Sequence, residues 1–262
     1  MNSRTMVPAF AALALFAAAP GTAAAEDLLF QATTEPGKQT YPPGYLPKGA
    51  IDFRRYLGPL PRPGSVWLLE DRRMVLRLQR APAARWQMAV RDGRRLYPRF
   101  DDAFGREIRQ ATMPALVHLL NRAMSDVYAI QKPAKDFFDR KRPYQTLRLK
   151  RVCGFAKPPA LWATRAASPS HPSDHSAFGW TTAAILSLVA PHRTSELIAR
   201  AAEYAESRVV CAAHFPSDIQ AGHVMAAAIA TRLRAERDFQ GDLACARREY
   251  AAARPLSCFS NR

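Results

Sequence analysis

Polar residues whose types suit chemistry are concentrated between positions 135 and 218 of the 262-residue chain. They form three clusters: Lys135 with Arg142-Pro143, then Pro172-Ser173-Asp174-His175, then Ser207-Arg208 followed by His214 and Asp218. Taken singly, each cluster has an ordinary structural explanation. The cations suit a solvated helix face, the second cluster suits a helix cap, and a lone histidine suits a hydrogen-bonded core position.

Taken together, the same residues can hold a phosphoryl group. Lys135, Arg142 and Arg208 can clamp its oxygens, the arginines through planar guanidinium groups and the lysine as a point charge. The Ser173 hydroxyl and backbone N–H groups at a helix start, including that of Asp174, complete a cradle for the anion. The clusters therefore favour an anion-binding site.

Two histidines add a nucleophile and a proton donor to this cradle. Asp218 follows His214 by one helical turn, and we predict that it accepts the Nδ1–H of His214 and leaves Nε2 free to attack. Phosphoryl transfer depends mainly on positioning and on neutralising the charge of the equatorial oxygens, which three cations can do. Such a set needs no metal.

The three clusters resemble a family signature. K-x6-R-P, P-S-x-H and S-R-x5-H-x3-D occur here in the order and internal spacing of the type 2 phosphatidic acid phosphatase superfamily. A closer resemblance, to secreted bacterial class A nonspecific acid phosphatases, extends over about Val66 to Ala252. It rests on Phe104-Gly105, Gly179-Trp180 and Ser207-Arg208-Val209-Val210-Cys211.

The resemblance implies an all-α fold and metal-independent hydrolysis of phosphomonoesters through a phosphohistidine intermediate. It implies that His214 is the nucleophile, that Asp218 orients it, and that His175 is the general acid and later the base. The phosphate-binding positions that it implies are Lys135, Arg142, Ser173, Asp174 through its amide, and Arg208. It also implies small phosphorylated substrates, no cofactor and assembly into homo-oligomers.

One position departs from the class A pattern. Class A enzymes usually read P-S-G-H, whereas this chain has Asp174 in place of the glycine, which resembles membrane-bound undecaprenyl diphosphate phosphatases. Because an inward carboxylate would repel phosphate, we expect the Asp174 side chain to face solvent or cap the next helix. Three alternatives stay open: a lipid phosphate or undecaprenyl diphosphate phosphatase, a catalytically weak phosphate-binding protein, and a vanadium haloperoxidase, although haloperoxidase chains are usually much longer.

The elements that position these residues are predicted to be helices. Apolar residues recur at helical spacing after a potential cap at Ser65 and after Pro114, and period-two alternation is absent. We predict one all-α domain of about eight helices over residues 66–262. Residues 26–65 contain seven prolines and are predicted to form an irregular segment that wraps the helical body.

The first 25 residues have the features of a signal peptide. Arg4 supplies a positive charge, residues 7–19 an apolar core, and Ala23-Ala24-Ala25 a cleavage site before Glu26. Cleavage after Ala25 predicts a periplasmic or secreted protein, in which the four cysteines can pair. Of the three connectivities we favour Cys153 with Cys211 and Cys245 with Cys258, because Cys153 and Cys211 adjoin motifs that must converge.

Net charge gives a weaker indication than the motifs. The value of +16 suits nucleic acid, an acidic membrane surface or a phosphorylated substrate, and the excess of 31 arginines over 7 lysines is equally well explained by compositional bias. The motifs favour the phosphorylated substrate, so no nucleic acid partner is predicted. No stretch after the signal peptide reaches 18 apolar residues, which argues against integral membrane association.

Overall fold

The structure is a computed structural model that describes residues 33–35, 38–40, 42–153 and 168–258. The predicted signal peptide and its cleavage site lie outside the described residues. Nine α-helices account for more than half of the described residues, so the predicted all-α fold of about eight helices is confirmed. They are α1 (Val66–Leu78), α2 (Ala83–Arg91), α3 (Asp101–Phe104), α4 (Pro114–Phe138), α5 (Pro143–Thr146), α6 (Asp174–Val189), α7 (Thr194–Val210), α8 (Pro216–Leu233) and α9 (Arg237–Ala252).

A short β-hairpin precedes the helices and departs from the prediction of an irregular N-terminal segment. Strands β1 (Thr33–Glu35) and β2 (Lys38–Thr40) pair antiparallel, with Thr33 opposite Thr40. The two strands flank the sequence Pro36-Gly37, a strong turn signal, and contain β-branched threonines. The prediction of an irregular segment rested on the number of prolines and did not take this local turn signal into account.

Helix α6 is the central element, because it packs against α4, α7, α8 and α9. Two glycines let its neighbours approach closely. A Cβ on Gly179 of α6 would lie 2.6 Å from a ring carbon of Tyr204 in α7, and a Cβ on Gly222 of α8 would overlap the carbonyl oxygen of Ser173. The start of α6 is therefore held tightly between α7 and α8.

Helix α4 buries the apolar face that its spacing predicts, including Leu116, Leu120 and Val127. Its N-terminal N–H groups are capped from another helix. The Glu249 carboxylate of α9 accepts hydrogen bonds from Ala115 N (3.0 Å) and Leu116 N (2.9 Å). This tertiary cap ties α4 to α9 at the end opposite to Lys135.

Both favoured disulfides are present. Cys153 pairs with Cys211, which joins the chain after α5 to the end of α7, and Cys245 pairs with Cys258, which joins α9 to the C-terminal segment. Within the described residues no free cysteine is left. The predicted connectivity is confirmed.

A separate observation concerns membranes: none of the helices in the described ranges combines the length and the apolar character that a membrane span requires.

The Pro-rich segment is fastened to α4 through a buried carboxylate. Asp126 accepts hydrogen bonds from the backbone N–H groups of Tyr45 (2.8 Å) and Leu46 (3.0 Å). Arg122, one turn earlier, donates from Nε to the carbonyl of Pro43 (3.1 Å). Burial raises the pKa of Asp126 to about 6, although the two N–H groups and the Arg122 charge lower it.

We predict that Asp126 makes the protein less stable as the pH rises. Its pKa is above the ordinary 3.8, so its contribution to folding is greatest below about pH 4 and declines as the pH rises through about 6. Asp126→Asn should flatten this decline and, by leaving one N–H unpaired, should lower the free energy of unfolding by about 1–3 kcal/mol. Urea unfolding at a series of pH values measures both effects.

The matched control is Asp136→Asn on the same helix, where the carboxylate is 60% exposed and pairs with Lys132. It should change the unfolding free energy by less than about 0.5 kcal/mol. An Asp126→Asn variant that keeps the parent's pH dependence would contradict the prediction.

Candidate active site

The three sequence clusters meet around the N-terminal ends of α6 and α8. Lys135 comes from the end of α4, Arg142 from the start of α5, Ser173 to His175 from the start of α6, Arg208 from the end of α7, and His214 and Asp218 from the start of α8. Nε2 of His214 lies 3.0 Å from Nη1 of Arg142 and 3.3 Å from Oδ1 of Asp174. Residues up to 72 positions apart thus surround one imidazole.

The buried His214 ring is oriented by a backbone carbonyl. Nδ1 lies 2.7 Å from the carbonyl oxygen of Ser170, which can only accept, so Nδ1 carries the proton and Nε2 has the free lone pair in the neutral ring. The predicted acceptor, Asp218, has its nearer oxygen 3.8 Å from Nδ1, beyond hydrogen-bond distance. The structure therefore corrects the identity of the acceptor but keeps the predicted tautomer.

Asp218 is fully buried and engaged by other donors. It accepts from Nη1 of Arg140 (2.6 Å), Oγ of Ser170 (2.6 Å), the N–H of Phe215 (2.8 Å) and Nδ1 of His171 (3.2 Å). Burial raises the pKa of Asp218, but the His171 hydrogen bond and the Arg140 charge outweigh it and hold this pKa well below the ordinary value. Asp218 is a fixed negative charge behind the His214 ring.

One extended segment, residues 168–170, orients three functional groups. Its successive carbonyl oxygens accept from Nε of Arg142 (2.9 Å), Nζ of Lys135 (2.6 Å) and Nδ1 of His214 (2.7 Å). Asp218 fixes the segment through the Ser170 hydroxyl. The cations and the nucleophile candidate therefore share one backbone support.

The three predicted clamp cations are placed differently. Arg142 faces His214 directly, as described above. Burial lowers the pKa of Lys135 to about 8, with Asp174 opposing and Arg142 reinforcing this shift, so the ammonium stays charged in acid. Arg208 is buried and donates from Nη2 to the carbonyl of Ala89, and its Nε has no hydrogen-bond partner among the described residues.

His175 and Ser173 lie at the first turn of α6. Ser173 is the N-cap, and its Oγ accepts from the N–H of Ser176 (3.3 Å), so its hydroxyl proton is the part that can serve an anion. Burial lowers the pKa of His175 to about 4, while Asp174 raises it and Arg208 lowers it. Nε2 of His175 is buried, and no residue in the described ranges hydrogen-bonds to it.

The Asp174 side chain points into the site, so the expectation that it faces solvent is wrong, while its Oδ1 also accepts from the N–H of His175 in the first turn of α6 (3.0 Å). Its Oδ1 lies 3.3 Å from Nε2 of His214, 3.5 Å from Nδ1 of His175 and 4.0 Å from Nζ of Lys135. Burial raises the pKa of Asp174, but the Lys135 charge and the two imidazole contacts hold it well below the ordinary value. The Lys135 charge, the His175 ring and the N–H of His175 favour this inward position, and Nε2 of His214 attracts the carboxylate only when that nitrogen is protonated.

The same three residues could in principle bind a metal. Asp174, His175 and His214 bring ligand atoms within 4.8 Å of one another. The Nε2 lone pair of His214, however, already faces Arg142, and Lys135 lies against the carboxylate. A cation there would sit among buried cations, so the donor set suits an anion better than a metal ion.

Besides Ser170, sequence reasoning missed Arg140 and Asp71 in the supporting network. Arg140 donates from Nη2 to Asp71 (2.7 Å) and from Nη1 to Asp218 (2.6 Å), and so joins α1 to α8. Asp71 also accepts from the N–H of Ser217 (2.9 Å). A signal for Asp71 existed, because it lies one turn before the buried Val75 on the inward face of α1. Arg140 had none beyond its proximity to Arg142.

Comparison with known proteins agrees with this geometry. A sequence profile described as PAP2 superfamily matches residues 115–238. The acid phosphatase of Zymomonas mobilis subsp. mobilis is 30% identical over 204 residues, covering 76% of this chain and 75% of that protein. The non-specific acid phosphatases of Providencia stuartii (30% identical; 77% and 82% covered) and Salmonella typhimurium (29%; 80% and 85%) align similarly. The resemblance first indicated by the three motifs is confirmed, and the chain belongs to the PAP2 superfamily.

Proposed function

We propose that this protein is a metal-independent acid phosphatase that hydrolyses phosphomonoesters through a phosphohistidine at His214. Relatives named acid phosphatase support the reaction class. One observation carries the mechanism: a buried imidazole donates a hydrogen bond from Nδ1 to the Ser170 carbonyl and presents Nε2 beside Arg142. A nucleophile with a fixed tautomer next to a phosphate-binding cation is what covalent phosphoryl transfer needs.

In the first step, Nε2 of His214 attacks phosphorus and forms the N–P bond while the ester P–O bond breaks. Lys135, Arg142 and Arg208 neutralise the charge on the equatorial oxygens. The protonated imidazole of His175 gives its proton to the leaving oxygen, which departs as an alcohol.

In the second step, His175 is neutral and takes a proton from water as the water oxygen attacks phosphorus. The N–P bond breaks, phosphate leaves, and both histidines return to their starting states. The positive charge that the phosphorylated ring carries is stabilised by the Ser170 carbonyl at Nδ1 and by the Asp218 charge 3.8 Å away. Asp218 thus acts on His214 by holding Ser170 in place and by its negative charge, rather than by accepting the Nδ1–H hydrogen bond directly.

The proposed location is the periplasm or the exterior, after cleavage behind Ala25. Two disulfides support it, since they persist in oxidising compartments. The proposed substrates are small phosphorylated molecules.

A lipid phosphate is the second candidate substrate class, because the N-terminal end of α1 exposes apolar side chains. Val66, Trp67 and Leu69 are 70%, 74% and 54% exposed, beside the exposed Arg72 and Arg73. Trp and Leu next to arginine suit an anionic membrane surface. Assays with detergent-dispersed phosphatidic acid and with a soluble phosphomonoester separate the two classes. A kcat/KM at least about tenfold higher on the lipid would show that the substrates are lipid phosphates rather than small molecules.

The nucleophile assignment gives the first test of the mechanism. His214→Ala should lower kcat on p-nitrophenyl phosphate by about 10⁴-fold or more, because the covalent route is lost. His175→Ala should still be phosphorylated by this ester, whose leaving group needs no acid, and then stall without a base. Trapping with ³²P-labelled ester and a rapid alkaline quench, which preserves the acid-labile phosphohistidine, should therefore label His175→Ala protein and leave His214→Ala protein unlabelled.

His192→Ala is the matched control, since this histidine is exposed in the turn before α7 and should keep the parent's rate. Label located on His175, or label retained by His214→Ala, would contradict the assignment.

The low pKa of His175 predicts an acidic optimum. In the free enzyme this pKa is about 4, mainly because of burial, and the general acid must be protonated. As the pH rises above this value, the protonated fraction falls and kcat/KM should fall with it, by up to tenfold per pH unit. Because Asp174 raises the pKa of His175, Asp174→Asn should move this alkaline limb to lower pH. An optimum at or above neutral pH would refute the assignment.

A further inference from the structure

The Asp174 carboxylate occupies a place suited to a phosphate oxygen. It lies between the two imidazoles and Lys135, at 3.3 Å from Nε2 of His214, the atom proposed to attack phosphorus. Those partners are the ones that a bound phosphoryl group would use. In the described part of the chain, no other carboxylate lies within 4 Å of Nε2 of His214 or of Nζ of Lys135.

We propose that the Asp174 carboxylate is a resident anion that fills part of the phosphate subsite, so that substrate and product phosphate bind only by displacing it. This inference rests on the proposed function, because it describes how the same site selects its anion.

Charge balance supports this role. Lys135 and Arg208 are almost fully buried, and buried cations are costly without a negative partner. Asp174 supplies that partner to Lys135, at 4.0 Å from Nζ, while the subsite holds no ligand. A phosphate that enters would place its own negative charge within about 4 Å of the carboxylate, so the two anions cannot share the subsite without strong repulsion.

The Asp174 carboxylate can leave the subsite by a movement of its side chain alone. The Asp174 side chain is 18% exposed, whereas that of His214 is 1% exposed, so the carboxylate reaches solvent and the nucleophile does not. Asp174 is the first residue of α6, and the helix cap is Ser173. Rotation about the Cα–Cβ bond can therefore release the carboxylate to solvent and free the N–H of His175, from which Oδ1 accepts at 3.0 Å, while the Ser173 cap stays in place.

The resident carboxylate should increase the selectivity of the subsite for phosphomonoester dianions over singly charged carboxylates. A singly charged carboxylate ligand such as acetate would replace a group of its own charge and chemistry and gain little. A phosphomonoester dianion brings more charge and three terminal oxygens for Lys135, Arg142 and Arg208. The carboxylate also weakens the binding of product phosphate, which favours its release.

Phosphate binding, measured without turnover, tests the inference. Isothermal titration with inorganic phosphate at about pH 5 should give a Kd at least about tenfold lower for Asp174→Asn and for Asp174→Gly than for the parent, which corresponds to about 1.4 kcal/mol. In Asp174→Gly, added acetate should occupy the vacated position and raise the apparent Kd for phosphate. In the parent, the same acetate should leave Kd unchanged.

Asp238→Asn is the matched control, because Asp238 also lies in the first turn of a helix, α9, and is half exposed away from the site. Its Kd should equal the parent's, and circular dichroism verifies that each variant is folded. An unchanged or larger Kd in either Asp174 variant, or acetate competition in the parent, overturns the inference. A parent that binds phosphate but hydrolyses no ester contradicts the proposed function alone, whereas a hydrolysing parent with unchanged Kd in the variants contradicts this inference alone.

Discussion

The buried ion pair between Arg140 and Asp218 is the interaction on which the geometry of the site depends. Arg140 uses its second nitrogen to bind Asp71, so one guanidinium connects α1, the end of α4 and the start of α8. Asp218 then holds Ser170, whose carbonyl orients the His214 ring. Removing one partner of a buried pair typically costs about 3–5 kcal/mol, because it strands the other charge. The network can therefore exist only with all its members in place, and this requirement makes the site rigid.

The spacing within each motif was sufficient to identify the residues that meet at the site, because the regular geometry of a helix fixes how far apart two residues of known spacing lie. His214 and Asp218 are separated by one turn, and Lys135 and Arg142 lie on either side of the end of α4, so each motif places its members locally. Convergence of the three motifs then follows from packing α6 against α7 and α8. Hydrophobic spacing on α4 also predicted which face is buried.

Orientation could not be predicted in the same way. Every residue has a backbone carbonyl, so nothing in the sequence singles out that of Ser170 as the acceptor for His214. Asp218 was predicted instead, because a carboxylate one helical turn away is the acceptor that the sequence makes visible. The direction of Asp174 depends on Lys135, a residue 39 positions earlier on another helix. Likewise, Arg140 and Asp71 are 69 residues apart and become a pair only through the fold. Side-chain direction in a charged site is a property of the whole set of partners.

The inward carboxylate bears on affinity more than on the chemical step. Catalysis requires interactions that are stronger in the transition state than in the ground state. Asp174 must leave the subsite before phosphate enters, so its displacement weakens the binding of substrate, transition state and product alike. It therefore cannot by itself accelerate the transfer to His214. Asp174 instead changes how long phosphate stays bound. A site lined by Lys135, Arg142 and Arg208 would otherwise retain the product, and the competing carboxylate allows product phosphate to leave and new substrate to bind.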